Sequence, residues 1–226
     1  MLPLPVIEAI QRGLAGEVLI SAQEALRIER SRPHGHVAAV LGTARKLGLE
    51  TLVDAEPSRE RDLVVSMVAA RVLEPASKLA TSRLFSTTSL GPTLGVEEAT
   101  DDELYAAMDW LLARQGDIEK RLARRYLKPG DVVLYDLSST YVEGEHCELA
   151  KRGYSRDGRP GKAQIEFGLL TNGKGDPVAI EAFAGDTGDP STFQAQVQKV
   201  GERFGVSDVI WVADRGMLTS AQVEKL

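Results

Sequence analysis

Cysteine is nearly absent: Cys147 is the only one in 226 residues. An internal disulfide and a cysteine-rich zinc site are therefore excluded, and a metal ion, if used, has to be held by oxygen. No apolar run approaches the roughly eighteen residues that a membrane-spanning helix needs. Glu8 and Arg12 also arrive too early in the opening segment for a signal peptide. The expectation is a soluble, cytoplasmic protein with no membrane partner. Positive charge is in deficit, with 27 Lys and Arg against 33 Asp and Glu and a formal net charge of -6. That balance argues against coating nucleic acid by bulk electrostatics. Internal repeats and low-complexity tracts are missing too. What remains is a chain of 43% hydrophobic residues, enough for one large domain or two modest ones.

Up to about Gly130 the pattern is helical. His36 to Leu47, Arg59 to Leu73 and Asp101 to Ala113 each repeat apolar residues at three- and four-residue spacing. Ser58 reads as a plain N-cap, Asp101 and Asp102 favour the start of the next helix, and Glu74-Pro75 ends the one before. After Lys128-Pro129-Gly130, a turn signal, short runs rich in Val, Ile and Leu take over. The expected organisation is a helical region, 1–130, followed by a strand-rich domain, 131–226. Asp131 to Leu137 suits a central strand. Gln164 to Leu170 and Val178 to Phe183 flank a turn and predict a hairpin. Asp189 as N-cap with Pro190 opens a helix through about Arg203, Asp208 to Ala213 is a further buried strand, and Thr219 starts a last helix.

Asp136 and Asp214 both fall at the carboxyl ends of predicted buried strands, where side chains emerge from a rigid backbone and two acids can converge. Convergent carboxylates suit two-metal phosphodiester chemistry, in which hard oxygen ligands hold ions about 4 Å apart. Aspartates also end strands for ordinary reasons. Asp136 could cap a turn at Ser138-Ser139-Thr140, and Asp214 could pair with Arg215.

The residue strings say more than the pattern. Val133-Leu134-Tyr135-Asp136-Leu137-Ser138-Ser139-Thr140-Tyr141 resembles the first-aspartate motif of insertion-sequence transposases of the IS4 and IS1634 groups. Gly153-Tyr154-Ser155-Arg156-Asp157-Gly158-Arg159-Pro160 is similar to their Gly-Tyr-Ser-Lys-Asp segment. Phe183-Ala184-Gly185-Asp186-Thr187-Gly188-Asp189 resembles Phe-Pro-Gly-Asn-Thr-x-Asp, and Val212-Ala213-Asp214-Arg215-Gly216-Met217-Leu218 resembles the second-aspartate motif. The resemblance spans about 131–226, with weaker support from Leu73 to Ala80. It implies an α+β chain: an N-terminal helical region, then an incomplete ribonuclease H-like α/β domain with a mixed sheet. It also implies a DDE transposase that cleaves DNA and transfers strands. Asp136 and Asp214 would then be the catalytic, metal-holding residues, with Mg²⁺ or Mn²⁺ as cofactor. Element terminal repeats and target DNA would be partners, and a homo-oligomer is compatible with this reading. The family's third acid, a glutamate in a Tyr-x-x-Arg-x-x-x-Glu setting, has no counterpart here, since Glu224 lies ten positions past Asp214 without that setting. The expectation is a truncated copy with absent or weak cutting activity. The alternative is a catalytically inactive derivative that binds DNA or assembles with partners.

Between Lys151 and Lys162 five basic residues stand against one acid. Lys151, Arg152, Arg156, Arg159 and Lys162 are the candidates for DNA phosphate contact, a solvated loop being the other reading. The cluster Arg121, Arg124, Arg125 and Lys128 reads as a solvated helix face. His34 and His36 lack a third ligand, Cys147 lacks a supporting histidine-carboxylate pair, and the turn from Gly173 to Gly175 opens no phosphate-loop helix.

Overall fold

A computed structural model of the chain describes residues 2–18, 28–154, 158 and 161–217. The expectations placed on Arg156, Arg159, Thr219 and Glu224 lie outside the described residues. The architecture is α+β, helices first and a mixed sheet after.

Helix α1 (Leu4–Leu14) buries no residue. Among the described residues seven helices follow before the sheet: α2 (Gly35–Leu47), α3 (Leu49–Val53), α4 (Arg59–Leu73), α5 (Lys78–Thr87), α6 (Leu90–Leu94), α7 (Asp101–Leu112) and α8 (Gln115–Tyr126). The Ser58 hydroxyl accepts the Arg61 amide at 3.1 Å, the N-cap that its position predicts for α4. Helix α7 starts at Asp101 with both aspartates in its first turn, as expected, and a capping box adds to them: Thr100 accepts the Glu103 amide and Glu103 reaches back to the Thr100 amide. Helix α4 is apolar around most of its circumference and forms the centre of the first core. Leu63, Val64, Val65, Ala69 and Ala70 pack there with Val37, Leu41, Phe85, Leu90 and Leu104.

The basic face of α8 is exposed, as expected, and two of its arginines also bond neighbouring helices. Arg121 donates to the Leu52 carbonyl at 2.9 Å, and Arg125 donates to the Leu47 carbonyl at 2.9 Å. The last carbonyls of α2 and α3 lack helical partners, so cations are drawn to them.

Five strands form the sheet: β1 (Val132–Tyr141), β2 (Lys151–Arg152), β3 (Ala163–Asn172), β4 (Pro177–Ala184) and β5 (Ile210–Ala213). Central β1 pairs antiparallel with β3 and parallel with β5, and β3 pairs antiparallel with β4. This is the ribonuclease H-like order, a hairpin on one side of the first strand and a parallel strand on the other. The β3–β4 turn is made by Asn172, whose Oδ1 accepts the amides of Lys174 and Asp176. Helix α9 (Asp189–Gln198), extended by a π-helical turn (Lys199–Arg203), crosses from β4 to β5. Its N-cap is Gly188, one residue before the predicted aspartate. One sheet face carries the second core, in which Val133, Tyr135, Leu137 and Leu170 meet Phe193 and Val200 of the crossover and Ala123 of α8. Tyr135, Phe193 and Trp211 stack in sequence, their ring centroids 6.3 and 5.3 Å apart, and burial pushes the Tyr135 phenol up to about 12.

Candidate functional site

On β1 the residues alternate. Val133, Tyr135 and Leu137 are buried, while Asp136 and Ser138 face outward. On β5, Ile210 and Val212 are exposed and Trp211 and Ala213 turn inward. The parallel register pairs Leu134 with Val212 and ends at Tyr135 with Ala213. Asp136 and Asp214 are the residues that directly follow this last pair, Asp136 within β1 and Asp214 at the turn that follows β5. Both carboxylates are exposed. Asp136 Oδ1 accepts the Leu137 amide at 2.8 Å, and Asp214 Oδ1 accepts the Arg215 amide at 2.6 Å. These local bonds leave the second oxygen of each unengaged among the described residues. Two carboxylates match the hard-oxygen set with which Mg²⁺ is held, one or two acids with the remaining positions left to water and phosphate. Among the described residues no third acid, histidine or cysteine joins them to complete a metal-binding group.

Asp136 is not at a strand end. β1 runs on to Tyr141, and the stretch that reads as a turn, Ser138 to Thr140, pairs with Phe167 to Ile165 of β3. Asp136 therefore lies within the β1–β3 ladder, opposite Leu169, one residue past the last pair that β1 makes with β5.

β1, β4 and β5 all point the same way; β1 and β4 end where β3 begins, whereas β5 stops earlier, with Ala213 opposite Tyr135. The outer edge of β3 changes partner there. β4 occupies it as far as Ala184, and β2 then takes Ala163 and Gln164. Gly185 stands at the handover. A Cβ on it would lie 2.0 Å from the Gln164 carbonyl oxygen, and a Cβ on Gly153 would lie 1.8 Å from the Gly185 carbonyl oxygen. Nothing larger than glycine fits at either place. The buried Gln164 amide closes the clasp, donating to the carbonyls of Tyr154 at 2.8 Å and Gly185 at 3.1 Å. Beyond Gly185 the chain enters α9, and Asp189 Oδ2 lies 3.9 Å from the Cβ position of Gly216. Thus the first three motif strings have residues that meet where β3 begins, and Gly216 of the fourth lies near Asp189 of the third.

Lys151 and Arg152 are the two residues of β2, and both are exposed, as is Lys162. The clasp was invisible to sequence reasoning because Gly153, Gln164 and Gly185 meet only through the sheet register. The sole signal was a glycine in each of two strings. An apolar groove of about 620 Å³ lies between α7, α8 and the β3–β4 hairpin, lined by Leu111, Leu112, Ile118, Leu169 and Ile180 among others. Its lining is mostly apolar, with Asp109, Gln115 and Glu119 as polar members, and Gln115 donates to Glu119 at 3.0 Å. No helix among the described residues is long and apolar enough to cross a membrane.

No protein-family model matches the chain. No curated protein matches it either. Among solved structures, a Mos1 transposase paired-end complex with the left transposon end is 12% identical, with a TM-score of 0.28 and all of this chain covered. A mariner Mos1 paired-end complex with Mg is 13% identical, with a TM-score of 0.25 and 99% of this chain covered. The chain spans 65% of the length of each. With likeness so faint, the fold rests on the strand order alone.

Proposed function

We propose that this chain is a DNA transposase of the insertion-sequence type. In this reading Asp136 and Asp214 hold Mg²⁺ or Mn²⁺, and Lys151, Arg152, Arg156, Arg159 and Lys162 engage DNA phosphates. The single observation that supports it is that Asp136 and Asp214 each directly follow the last residue pair joining the parallel strands β1 and β5. Helical residues to about 130 and the sheet from 131 onward would form its two units. When bound, divalent ions supply positive charge at the attacking and leaving oxygens of the phosphodiester.

The protein's own residues do the rest. Asp136, held in the β1–β3 ladder, and Asp214, at the turn after β5, would present oxygens outward where a DNA backbone has access. Along β1, Tyr141 lies five residues beyond Asp136 and, through Gln164, opposite Lys151. That is about 17 Å along the sheet, or about five nucleotides of one strand. Cations at that distance would grip the same DNA whose phosphodiester lies over the acids.

The test is Mn²⁺ binding by electron paramagnetic resonance, alongside Mg²⁺-dependent nicking of plasmid DNA. Asp136→Asn and Asp214→Asn are each expected to weaken Mn²⁺ binding by about ten-fold or more, in line with the removal of a ligating oxygen. Unchanged Mn²⁺ affinity in both variants would remove the metal assignment, whatever the nicking assay gives.

A further inference from the structure

We propose that Tyr154 is a stacking platform for an unpaired nucleobase, pre-set by the glycine clasp beneath it. The inference rests on the DNA reading above and names a contact that the phosphate-binding cations do not make. Tyr154 is 81% exposed, the most exposed aromatic side chain among the described residues. A ring held in water gains nothing for the fold.

The backbone that carries the ring is held on several sides. Lys151 and Arg152 pair with Gln164 and Ala163. The Gly185 amide donates to the Leu149 carbonyl at 3.0 Å. Gly153 lies against the Gly185 carbonyl with no room for a methyl group, and the Tyr154 carbonyl accepts from the buried Gln164 amide. A fixed backbone, a ring in solvent and two adjoining cations form the arrangement by which proteins hold single-stranded nucleic acid. The cations track phosphates, and the aromatic face takes a base of any sequence. The base has to be unpaired, because one inside a duplex already has both faces covered. Such bases occur at a frayed or cut end and where a nucleotide is turned out of the helix.

The experiment uses the full chain and two short DNA duplexes, one blunt and one ending in a single unpaired 2-aminopurine. Wild-type protein should quench the 2-aminopurine and bind the overhang duplex more tightly than the blunt one. Tyr154→Phe should behave as wild type. Tyr154→Ala should lose the quench and about ten-fold in affinity for the overhang duplex, within the range of one stacked base, while blunt-duplex affinity holds. Gln164→Leu, which keeps the ring but frees its backbone, should weaken the quench in part. If Tyr154→Ala leaves the quench intact, or lowers affinity for both duplexes equally, the stacking role is overturned and the DNA reading stands. Should wild-type protein bind neither duplex, both fall.

Discussion

Gly153 and Gly185 leave no space for a side chain, and the atoms in the way are backbone carbonyls that cannot swing aside. Gly185→Ala should therefore destabilise the protein by about 1–3 kcal/mol or more, the cost of forcing atoms into a filled space. Gly42 makes the opposite case. It sits within α2 with nothing within 4 Å of its Cβ position, so Gly42→Ala should stabilise by about 1 kcal/mol through helix propensity alone. Chemical denaturation of both variants checks the pair, and a Gly185→Ala protein as stable as wild type would refute the clasp. The same contrast explains a limit of sequence reading. Both glycines are one letter, and only the packed neighbours separate the indispensable from the replaceable.

Helices α2, α4 and α7 and the β3–β4 hairpin are legible in the sequence, because apolar periodicity and turn residues are local signals. Elements whose state is decided by a distant partner are not. Ser138 to Thr140 carry turn-forming residues yet extend β1, because Phe167 to Ile165 offer a ladder. Arg121 and Arg125 look solvated and are, but that they also cap two other helices shows only in the fold. The aspartates could be named from their strings, while their placement after one strand pair needs the β1–β5 register. A further long-range tie joins α8, β4 and the π-helical turn. Glu119, buried, accepts from Gln115 at 3.0 Å and from the Ile180 amide at 3.3 Å. Lys199, also buried, lies 3.3 Å from Glu119 and pairs with Glu181 as well. Lys199→Met should cost about 3–5 kcal/mol, because it strands a buried carboxylate, and pairing it with Glu119→Leu should restore much of that stability. A double-mutant cycle showing plain additivity would deny the coupling.

Across the whole molecule, under the proposed reading, a net charge of -6 and the exposed basic strand β2 would act in opposite directions on DNA. Bulk charge repels, and the local cations have to supply the attraction. Reversing Lys151, Arg152 and Lys162 to glutamate should weaken DNA binding and flatten its salt dependence, by about 0.9 in the logarithmic slope for each phosphate no longer neutralised. A slope identical to wild type would exclude β2 as the DNA-binding strand. The parallel pairing of β1 with β5 has its own consequence, in time rather than in space. β1, β3 and β4 can zip together as a nearby meander, but β5 reaches β1 only after the chain has run through the whole α9 crossover and returned. Pairings between residues so far apart in sequence form slowly, because chain must be ordered before the pairing rewards it. The two aspartates are therefore brought to the same pair of strands late in folding, and a folding intermediate holding the meander alone would have Asp136 without its companion.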